Sequence, residues 1–353
     1  MTRIVVYGAS HVASDLFTGE LRLRLQQRFG EAGPGFVLPA KPWRYYRNSL
    51  IEHEASSGWT SLRVRVDDLE SDRAGPAGLL GLAGVAVEAP GAADCSLRTR
   101  SHGVLTGHAS VLELYYAKQP GGGHLEWSVD GRPVGLLSTA ATSWQTDYAR
   151  IELADAEHRV HLRARGDGPV RVYGMTVERD RHGVIVDTVG IPGARARYQL
   201  LWNEALVREH LARRAPDLVV LAYGTNESGD DVVPIGLYRA QLHRVLRRVR
   251  DALPESACLL VGPSDRPRKG SDGTWGPRPR TGQVVAEQRA AARKFHCGFF
   301  DLVRFMGGPM SMVRWVLADP PLGRRDHVHF TRAGYEKLGG ALFRALLVGY
   351  DKP

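Results

Sequence analysis

The sequence predicts an α/β protein whose parallel sheet is interrupted by an all-β insertion. Near both ends of the chain, short apolar runs alternate with helical stretches, whereas in the middle apolar and polar residues alternate one by one. With 353 residues, 43% of them apolar and 24% charged, the chain is long enough for two domains with substantial cores. No run reaches the ~18 to 20 apolar residues that a membrane span requires.

The α/β part begins with a strand at residues 3–7, RIVVY, and a helix from Asp15 to Phe29. The same pattern resumes after Arg181 and ends with a helix from Arg332 to Tyr350. The later strands are predicted at VIVDTV (184–189), LVVLAY (218–223), CLLVG (258–262) and GFFDLV (298–303). Strands that alternate with helices favour a parallel sheet covered on both faces.

The β-rich region extends from residue 56 to residue 180. Turn signals such as PGGG at 120–123 separate runs that include SVLELYY and HLEWSV. Short strands at intervals of roughly 8 to 12 residues predict an antiparallel, jelly-roll-like sandwich. Because the first strand and helix cannot bury their apolar faces alone, they belong to the sheet formed after residue 181. We therefore predict an α/β domain of residues 1–55 and 181–353 with residues 56–180 inserted into it.

Polar or glycine-rich turns follow the predicted parallel strands, where open α/β sheets place their functional groups. They are Gly8-Ala9-Ser10-His11, the turn with Gly193, the turn with Asn226 and, before the last helix, Asp326-His327-Val328-His329. Each alone is ordinary: Gly-x-Ser makes plain turns, Asp326 could cap a helix and His329 could be a partly buried histidine. In this order, however, they resemble the four motifs of the SGNH, or GDSL-type, hydrolases.

The resemblance implies a three-layer, flavodoxin-like catalytic domain and a role for each matched residue. Ser10 corresponds to the nucleophile, His329 to its general base and Asp326 to the residue that orients the imidazole. The backbone N–H groups of Ser10 and Gly193 and the side-chain amide of Asn226 correspond to the oxyanion donors. We expect a glycine at 193 because a side chain could obstruct the approach of a substrate to the backbone. No cofactor and no metal are implied.

Ala9 departs from the family motif, which has aspartate at this position. The missing carboxylate would ordinarily help to fix the nucleophile turn, and Asp15 could replace it only if the chain brings it close. The function implied is a serine esterase that forms an acyl-enzyme. Two alternatives stay open: an O-acyltransferase that passes the acyl group to a sugar, and a catalytically weak or silent carbohydrate-binding protein.

Further segments resemble one branch of the family, the esterases that remove O-acetyl groups from bacterial cell-wall or other polysaccharides. They are SHVASDLFTGELRLRLQQRFGEAGPGF from residue 10, MGGPMSMVRWV at 306–316, and the inserted sandwich, which resembles a carbohydrate-binding module. The resemblance implies an acylated carbohydrate as substrate. Aromatic candidates in the insertion are Trp59, Tyr115, Tyr116, Trp127 and Trp144, although filling the sandwich core is the better interpretation for most of them.

Residues 263–282, rich in Pro, Gly and Arg, are predicted to form a long loop at a strand end. Trp275 and Arg266 in this loop, together with Met310, are candidate substrate-binding residues. A mobile solvated loop is the competing interpretation. A zinc site formed by His327, His329 and Asp319 or Asp326 is disfavoured, because no HExxH helix or cysteine pair accompanies it.

The net charge of +9 comes mostly from arginine, since only six of the 47 basic residues are lysine. The basic residues are scattered along the chain, so a solvated surface is favoured over nucleic-acid binding. Three cysteines without close spacing indicate neither a disulfide framework nor a zinc cluster, and the odd number leaves at least one free. The resemblance implies an exported protein, whereas the chain as written shows no leader before its first strand and would be cytoplasmic if complete.

Overall fold

The computed structural model describes residues 1–64, 78–348 and 350 of the chain. These residues form eighteen β-strands and eight α-helices. The strands are β1 Thr2–Gly8, β2 Gly35–Val37, β3 Ile51–Ala55, β4 Thr60–Arg63, β5 Val85–Ala89, β6 Ala93–Thr99, β7 Ala109–Lys118, β8 His124–Val129, β9 Arg132–Ser138, β10 Gln145–Ala156, β11 Arg159–Ala164, β12 Val170–Glu178, β13 Val184–Gly190, β14 Leu218–Ala222, β15 Ala257–Val261, β16 Arg268–Lys269, β17 Trp275–Gly276 and β18 Gly298–Phe300. The helices are α1 Ser10–Ala13, α2 Phe17–Phe29, α3 Glu204–Arg214, α4 Ile235–Ala252, α5 Pro279–Lys294, α6 Leu302–Met306, α7 Ser311–Leu317 and α8 Arg332–Leu346.

A five-stranded sheet with the order β13-β1-β14-β15-β18 contains all five strands predicted for the α/β part. The pairs β1–β14, β14–β15 and β15–β18 are parallel, and Val6 stands opposite Val220 in the central pair. Both valines are fully buried, which explains why these strands read as continuous apolar runs. The last strand ends earlier than predicted because the Asp301 side chain caps α6 by accepting from the amide of Arg304.

The antiparallel part consists of two larger sheets. One has the order β10-β7-β12-β5-β4 with β2 added to β12, and the other has the order β3-β6-β11-β8-β9. Their inward side chains form one apolar cluster that includes Tyr116 and Trp127, with Trp59 packed against it. Tyr115 is also buried, and the Arg171 guanidinium lies 4.5 Å from the centre of the Trp144 ring. The predicted α/β fold class with an inserted β-sandwich is confirmed. Most of these aromatic residues pack in the interior of the sandwich.

These antiparallel sheets begin before the predicted limit at residue 56, since β2 and β3 already pair within them. The chain forms two compact units. The first comprises Met1–Arg3, Leu25–Thr188 and Leu201–Arg214, and the second comprises Ile4–Arg24, Val189–Leu200 and Ala215–Pro353. Every predicted catalytic residue lies in the second unit.

A disulfide joins Cys258 to Cys297, which the sequence analysis did not predict. The two cysteines are 39 residues apart in sequence, but Cys258 lies on β15 and Cys297 directly precedes the neighbouring strand β18. Cys95 is the remaining cysteine and is buried with a free thiol. No helix in the described part of the chain is both long enough and apolar enough to cross a membrane.

Candidate active site

The turn after β1 places Ser10 at the first position of the short helix α1. The carbonyl oxygen of Ala9 accepts hydrogen bonds from the amides of Val12, at 3.1 Å, and Ala13, at 2.9 Å. Gly8 is required here because a Cβ atom would lie 2.3 Å from Cγ2 of Val12 and 2.7 Å from a backbone oxygen of β14. The strand and helix can therefore meet at an angle that leaves Ser10, two residues after Gly8, partly exposed.

Ser10, His329 and Asp326 form a continuous hydrogen-bonded chain. Nε2 of His329 lies 2.9 Å from Oγ of Ser10, and its Nδ1 lies 2.8 Å from Oδ2 of Asp326. The other oxygen of Asp326 accepts from the amides of Val328 and His329, each at 2.9 Å. Partial burial opposes ionisation of this carboxyl, but the hydrogen bonds from His329 and Val328 hold its pKa below the usual value. An ionised Asp326 fixes the tautomer in which Nε2 can accept the proton of Ser10.

His327, the other histidine of this segment, points to a different partner. Its ring stacks on Trp275 with ring centres 3.9 Å apart, and its Nδ1 lies 2.9 Å from the carbonyl oxygen of Arg325. Both ring nitrogens of His329 are already engaged by Asp326 and Ser10. Among the described residues, no three His, Cys, Asp or Glu side chains are arranged to hold a metal ion.

Two of the predicted oxyanion residues, Gly193 and Asn226, lie on loops that are hydrogen-bonded to each other. Asn226 donates one N–H of its amide to the carbonyl oxygen of Ala194 at 2.9 Å, which leaves its second N–H for a substrate. Across the described part of the chain, no acceptor is bonded to the backbone N–H of Ser10 or Gly193. The amide of Ile191, at the start of the Gly193 loop, donates to the carbonyl oxygen of Gly8 at 2.9 Å. The Gly193 loop is therefore also bonded to the turn that carries Ser10.

The backbone gives a further reason for glycine at position 193. A Cβ atom there would meet no protein atom within 4 Å, so crowding within the protein does not select glycine. Gly193 adopts a left-handed conformation with φ of +78°, which other residues rarely tolerate. This conformation sets the direction of its N–H group.

Glu227 was missed by the sequence analysis although it follows Asn226 directly. Its buried carboxylate accepts from the amide of Ala196 at 2.9 Å and from the amide of Gly224 at 3.0 Å. These amides belong to the two loops that carry Gly193 and Asn226, so one side chain holds both loops. Burial raises the pKa of Glu227 despite these hydrogen bonds. The only signal in the sequence was its place next to Asn226.

His11, the neighbour of Ser10, was also missed as a site residue. Its Nδ1 lies 2.9 Å from the hydroxyl oxygen of Tyr335, and its Nε2 lies 3.3 Å from Oγ of Ser264. Burial, reinforced by the proximity of His329, lowers the pKa of His11 to about 3. His11 is therefore neutral at physiological pH and adds no charge beside His329.

Asp15, which could replace the family aspartate only if the chain brought it close to the turn, bonds to two residues of α2. Both oxygens of Asp15 accept from the guanidinium of Arg22, at 2.9 and 3.1 Å, and one also accepts from Thr18 at 3.0 Å. Asp15 and Arg22 are both fully buried as side chains. Asp15 therefore anchors the beginning of α2.

The predicted substrate-binding residues have different surroundings. Trp275 is half-buried in its stack with His327, directly beside the Asp326–His329 segment. Arg266 donates to the carbonyl oxygen of Thr225 at 2.8 Å, so it stabilises the loop that carries Asn226. Met310 is half-buried and precedes α7 in a left-handed conformation, with φ of 63°.

The predicted long loop at 263–282 contains regular structure instead. Strands β16 and β17 pair within it, and α5 begins at Pro279. Asp272 stabilises the connecting turn by accepting from the amide of Thr274 at 3.0 Å. Pro, Gly and Asp therefore mark a hairpin turn and a helix start here.

A parallel sheet that places a Ser-His-Asp chain and two candidate oxyanion loops at its strand ends has the architecture of an SGNH hydrolase. The sequence model of the GDSL-like lipase/acylhydrolase family matches residues 144–337, more than half of the chain. The chain therefore belongs to that family and is a carboxylic ester hydrolase.

One similar solved structure supports both the branch and the fold. A peptidoglycan O-acetylesterase is 27% identical and superposes with a TM-score of 0.79 over 98% of this chain and 90% of that one. A family two carbohydrate esterase from Clostridium thermocellum, in complex with cellohexaose, is 12% identical over 75% of this chain and 94% of that one, with a TM-score of 0.35. A salicylyl acyltransferase from a tetracycline biosynthetic pathway is 14% identical over 90% and 98%, with a TM-score of 0.39. The last two superpositions are too loose for a comparison of sites, and no curated protein matches the sequence.

Proposed function

We propose that the protein is a serine esterase that hydrolyses short acyl esters, O-acetyl above all, on a carbohydrate. The observation that carries the proposal is the hydrogen-bonded chain from Ser10 through His329 to Asp326. This chain supplies a nucleophile, a base and a residue that orients the base, which is what ester cleavage through an acyl-enzyme requires.

In the first step Oγ of Ser10 attacks the ester carbonyl and transfers its proton to Nε2 of His329. The carbonyl oxygen becomes an oxyanion, for which the N–H groups of Ser10 and Gly193 and the free N–H of Asn226 are the candidate donors. The carbon–oxygen bond to the sugar then breaks, and His329 returns its proton to the departing sugar oxygen. Water deprotonated by His329 cleaves the acyl-enzyme, which releases the carboxylic acid and restores Ser10.

Three features support a carbohydrate substrate. The chain resembles a peptidoglycan O-acetylesterase over nearly its whole length. Trp275, stacked on His327, lies beside the catalytic segment, where an aromatic face can pack against a sugar ring. Exposed Arg268 and Lys269 lie on the strand that pairs with β17, so they flank Trp275 with positive charge. A cell-wall polysaccharide that carries acid groups fits this surface.

The test measures acetate released from a chromogenic acetyl ester and from O-acetylated peptidoglycan. Ser10→Ala should reduce both rates by at least ~1,000-fold, since removal of a catalytic serine can cost on the order of 10⁶-fold in kcat. Ser101→Ala, which alters an exposed serine, is the control and should retain the wild-type rates. A fluorophosphonate probe should label the wild-type protein and the control but not Ser10→Ala. Substantial hydrolysis by Ser10→Ala would refute the assignment.

The same assay, run with an acceptor glycan added and with analysis of the products, separates the two alternatives. An O-acyltransferase would yield acetylated acceptor glycan in place of free acetate. A silent carbohydrate-binding protein, the alternative favoured by Ala9, would show neither labelling nor acetate release and would bind glycan equally well with and without Ser10.

We also propose that the protein works in an exported, oxidising compartment. The disulfide between Cys258 and Cys297 supports this location, because disulfides form and persist mainly outside the cytosol. Trapping free thiols in freshly harvested cells tests it: full alkylation of both cysteines would contradict an oxidising location.

A further inference from the structure

A buried chain of polar side chains lies next to the catalytic residues, within the compact unit that contains them. Nδ1 of His11 lies 2.9 Å from the hydroxyl oxygen of Tyr335, and its Nε2 lies 3.3 Å from Oγ of Ser264. Oγ of Ser264 in turn lies 3.2 Å from Oγ1 of Thr225. None of these four residues is more than 8% exposed. A polar chain buried this deeply is costly to break, so it fixes the elements that it joins.

The chain begins and ends beside residues of the candidate site. His11 directly follows Ser10, and Thr225 directly precedes Asn226. The ring of His11 also lies 5.5 Å, centre to centre, from the ring of His329. A displacement of His11 or Thr225 would therefore move a catalytic neighbour.

Backbone pairing stops short of the two residues whose separation matters. In the register of β1 and β14, the last pair is Gly8 opposite Ala222. Ser10 and Asn226 lie beyond that pair, two and four residues further along their strands. The distance between them is therefore set by contacts outside the sheet.

Ser264, which follows β15, completes a ring of hydrogen bonds around the site. The Gly193 loop is bonded to the Ser10 turn on one side and to the Asn226 loop on the other. Oγ of Ser264 joins the remaining two, since it contacts one residue of each. The amide of Ser264 also donates to Oγ1 of Thr225 at 3.1 Å. A closed ring restricts the movement of each loop more than an open one does.

The buried chain carries no charge at physiological pH. Burial lowers the pKa of His11 to about 3 and raises the pKa of Tyr335 to about 12, while the two remaining members are hydroxyl groups. The chain can therefore hold the loops without placing a further charge beside the developing oxyanion.

We propose that His11, Ser264 and Thr225 are positioning residues for ester hydrolysis, which hold the side-chain amide of Asn226 at a fixed distance from Ser10. The inference rests on the proposed role of Asn226 as an oxyanion donor. Such a donor must lie roughly 2.7–3.1 Å from the oxyanion, and a misplacement of about 1 Å can cost on the order of 100-fold in rate. The three residues thus act on the reaction through Asn226.

Two matched variants at position 225 test the proposal in the hydrolysis of a chromogenic acetyl ester. Thr225→Val keeps the shape of the side chain but removes the hydroxyl, and it should lower kcat about 10-fold with little change in KM. Thr225→Ser keeps the hydroxyl and should retain nearly the wild-type kcat. Ser264→Ala breaks the same hydrogen bond from the other side and should behave like Thr225→Val. The final extent of fluorophosphonate labelling at Ser10 gives the concentration of folded sites, so a misfolded fraction is not counted in kcat.

A double-mutant cycle with Asn226→Ala separates positioning from a general effect on the fold. Asn226→Ala alone should lower kcat by about 100-fold or more, the cost of one oxyanion donor. In that background Thr225→Val and Ser264→Ala should have little further effect, because the donor that they position is already absent. A purely structural role would give the same further loss in both backgrounds.

The outcomes distinguish this inference from the proposed function. Hydrolysis that survives Ser10→Ala would overturn both. In a Ser10-dependent enzyme, a wild-type kcat in Thr225→Val and Ser264→Ala, an equal loss in Thr225→Ser, or an undiminished loss in the Asn226→Ala background would overturn the inference alone.

Discussion

Acid should destabilise this protein through His11, which is buried and neutral. Its pKa is lowered from 6.5 to about 3, mainly by burial. Above about pH 6.5 neither the folded nor the unfolded chain protonates this imidazole, so its contribution to stability is fully present. Between that pH and about pH 3 the unfolded chain binds a proton that the folded chain does not, and stability falls.

The magnitude follows from the two pKa values of His11. From pH 7 to pH 5 the free energy of unfolding should fall by about 2 kcal/mol on account of this group, at 1.36 kcal/mol per pKa unit. Because pH 5 lies well above the folded-state pKa, the loss depends almost entirely on the unfolded-state pKa.

The measurement is urea unfolding at pH 7 and pH 5 for the wild type, His11→Asn and His11→Gln. The amides keep a polar group toward Tyr335 or Ser264 but do not titrate, so the stability gap between wild type and variant should narrow by about 2 kcal/mol at pH 5. His296→Gln, at an exposed histidine, is the control for loss of a solvent-facing imidazole. If the gap between wild type and both His11 variants is the same at both pH values, the reasoning is wrong.

Three further predictions concern the loops, the turn and the disulfide. Glu227→Gln should lower kcat for acetyl esters by roughly 10- to 100-fold with little change in KM. The reason is that an amide has only one oxygen to accept from the N–H groups of Ala196 and Gly224. A change in KM alone would contradict the positioning role of Glu227. Ala9→Asp should not increase kcat/KM and should lower Tm, because residue 9 is only 7% exposed and a carboxylate there would be desolvated; a gain in esterase activity would show that the turn is loose. Cys297→Ser should lower the free energy of unfolding by about 4 kcal/mol, because the disulfide joins residues 39 positions apart and so restricts the unfolded chain. The variant's unfolding should also be insensitive to reductant, and an unchanged urea midpoint would contradict this stabilising role.

The sequence predicted those features of the fold that depend on local pattern. Apolar runs located all five parallel strands, because strands buried on both faces have few polar residues. The early start of the antiparallel sheets was not predictable in this way. Residues 35–37 pair with 175–177, and 51–55 pair with 95–99, so their role depends on partners far along the chain.

In the candidate site, too, residues marked by a local pattern could be predicted, whereas residues defined by distant contacts could not. Ser10 and His329 could be selected because each follows a recognisable element in a known order, and the structure places Oγ of Ser10 2.9 Å from Nε2 of His329. Glu227 and His11 could not be selected, since their functions arise from contacts with residues 31 and 324 positions away. Neither contact leaves a periodic or compositional signal.

The structure also shows what the loss of the family aspartate at position 9 changes. Backbone hydrogen bonds to the carbonyl oxygens of Gly8 and Ala9 already define the turn, so a side chain is not needed for its geometry. Alanine at position 9 is consistent with an active esterase.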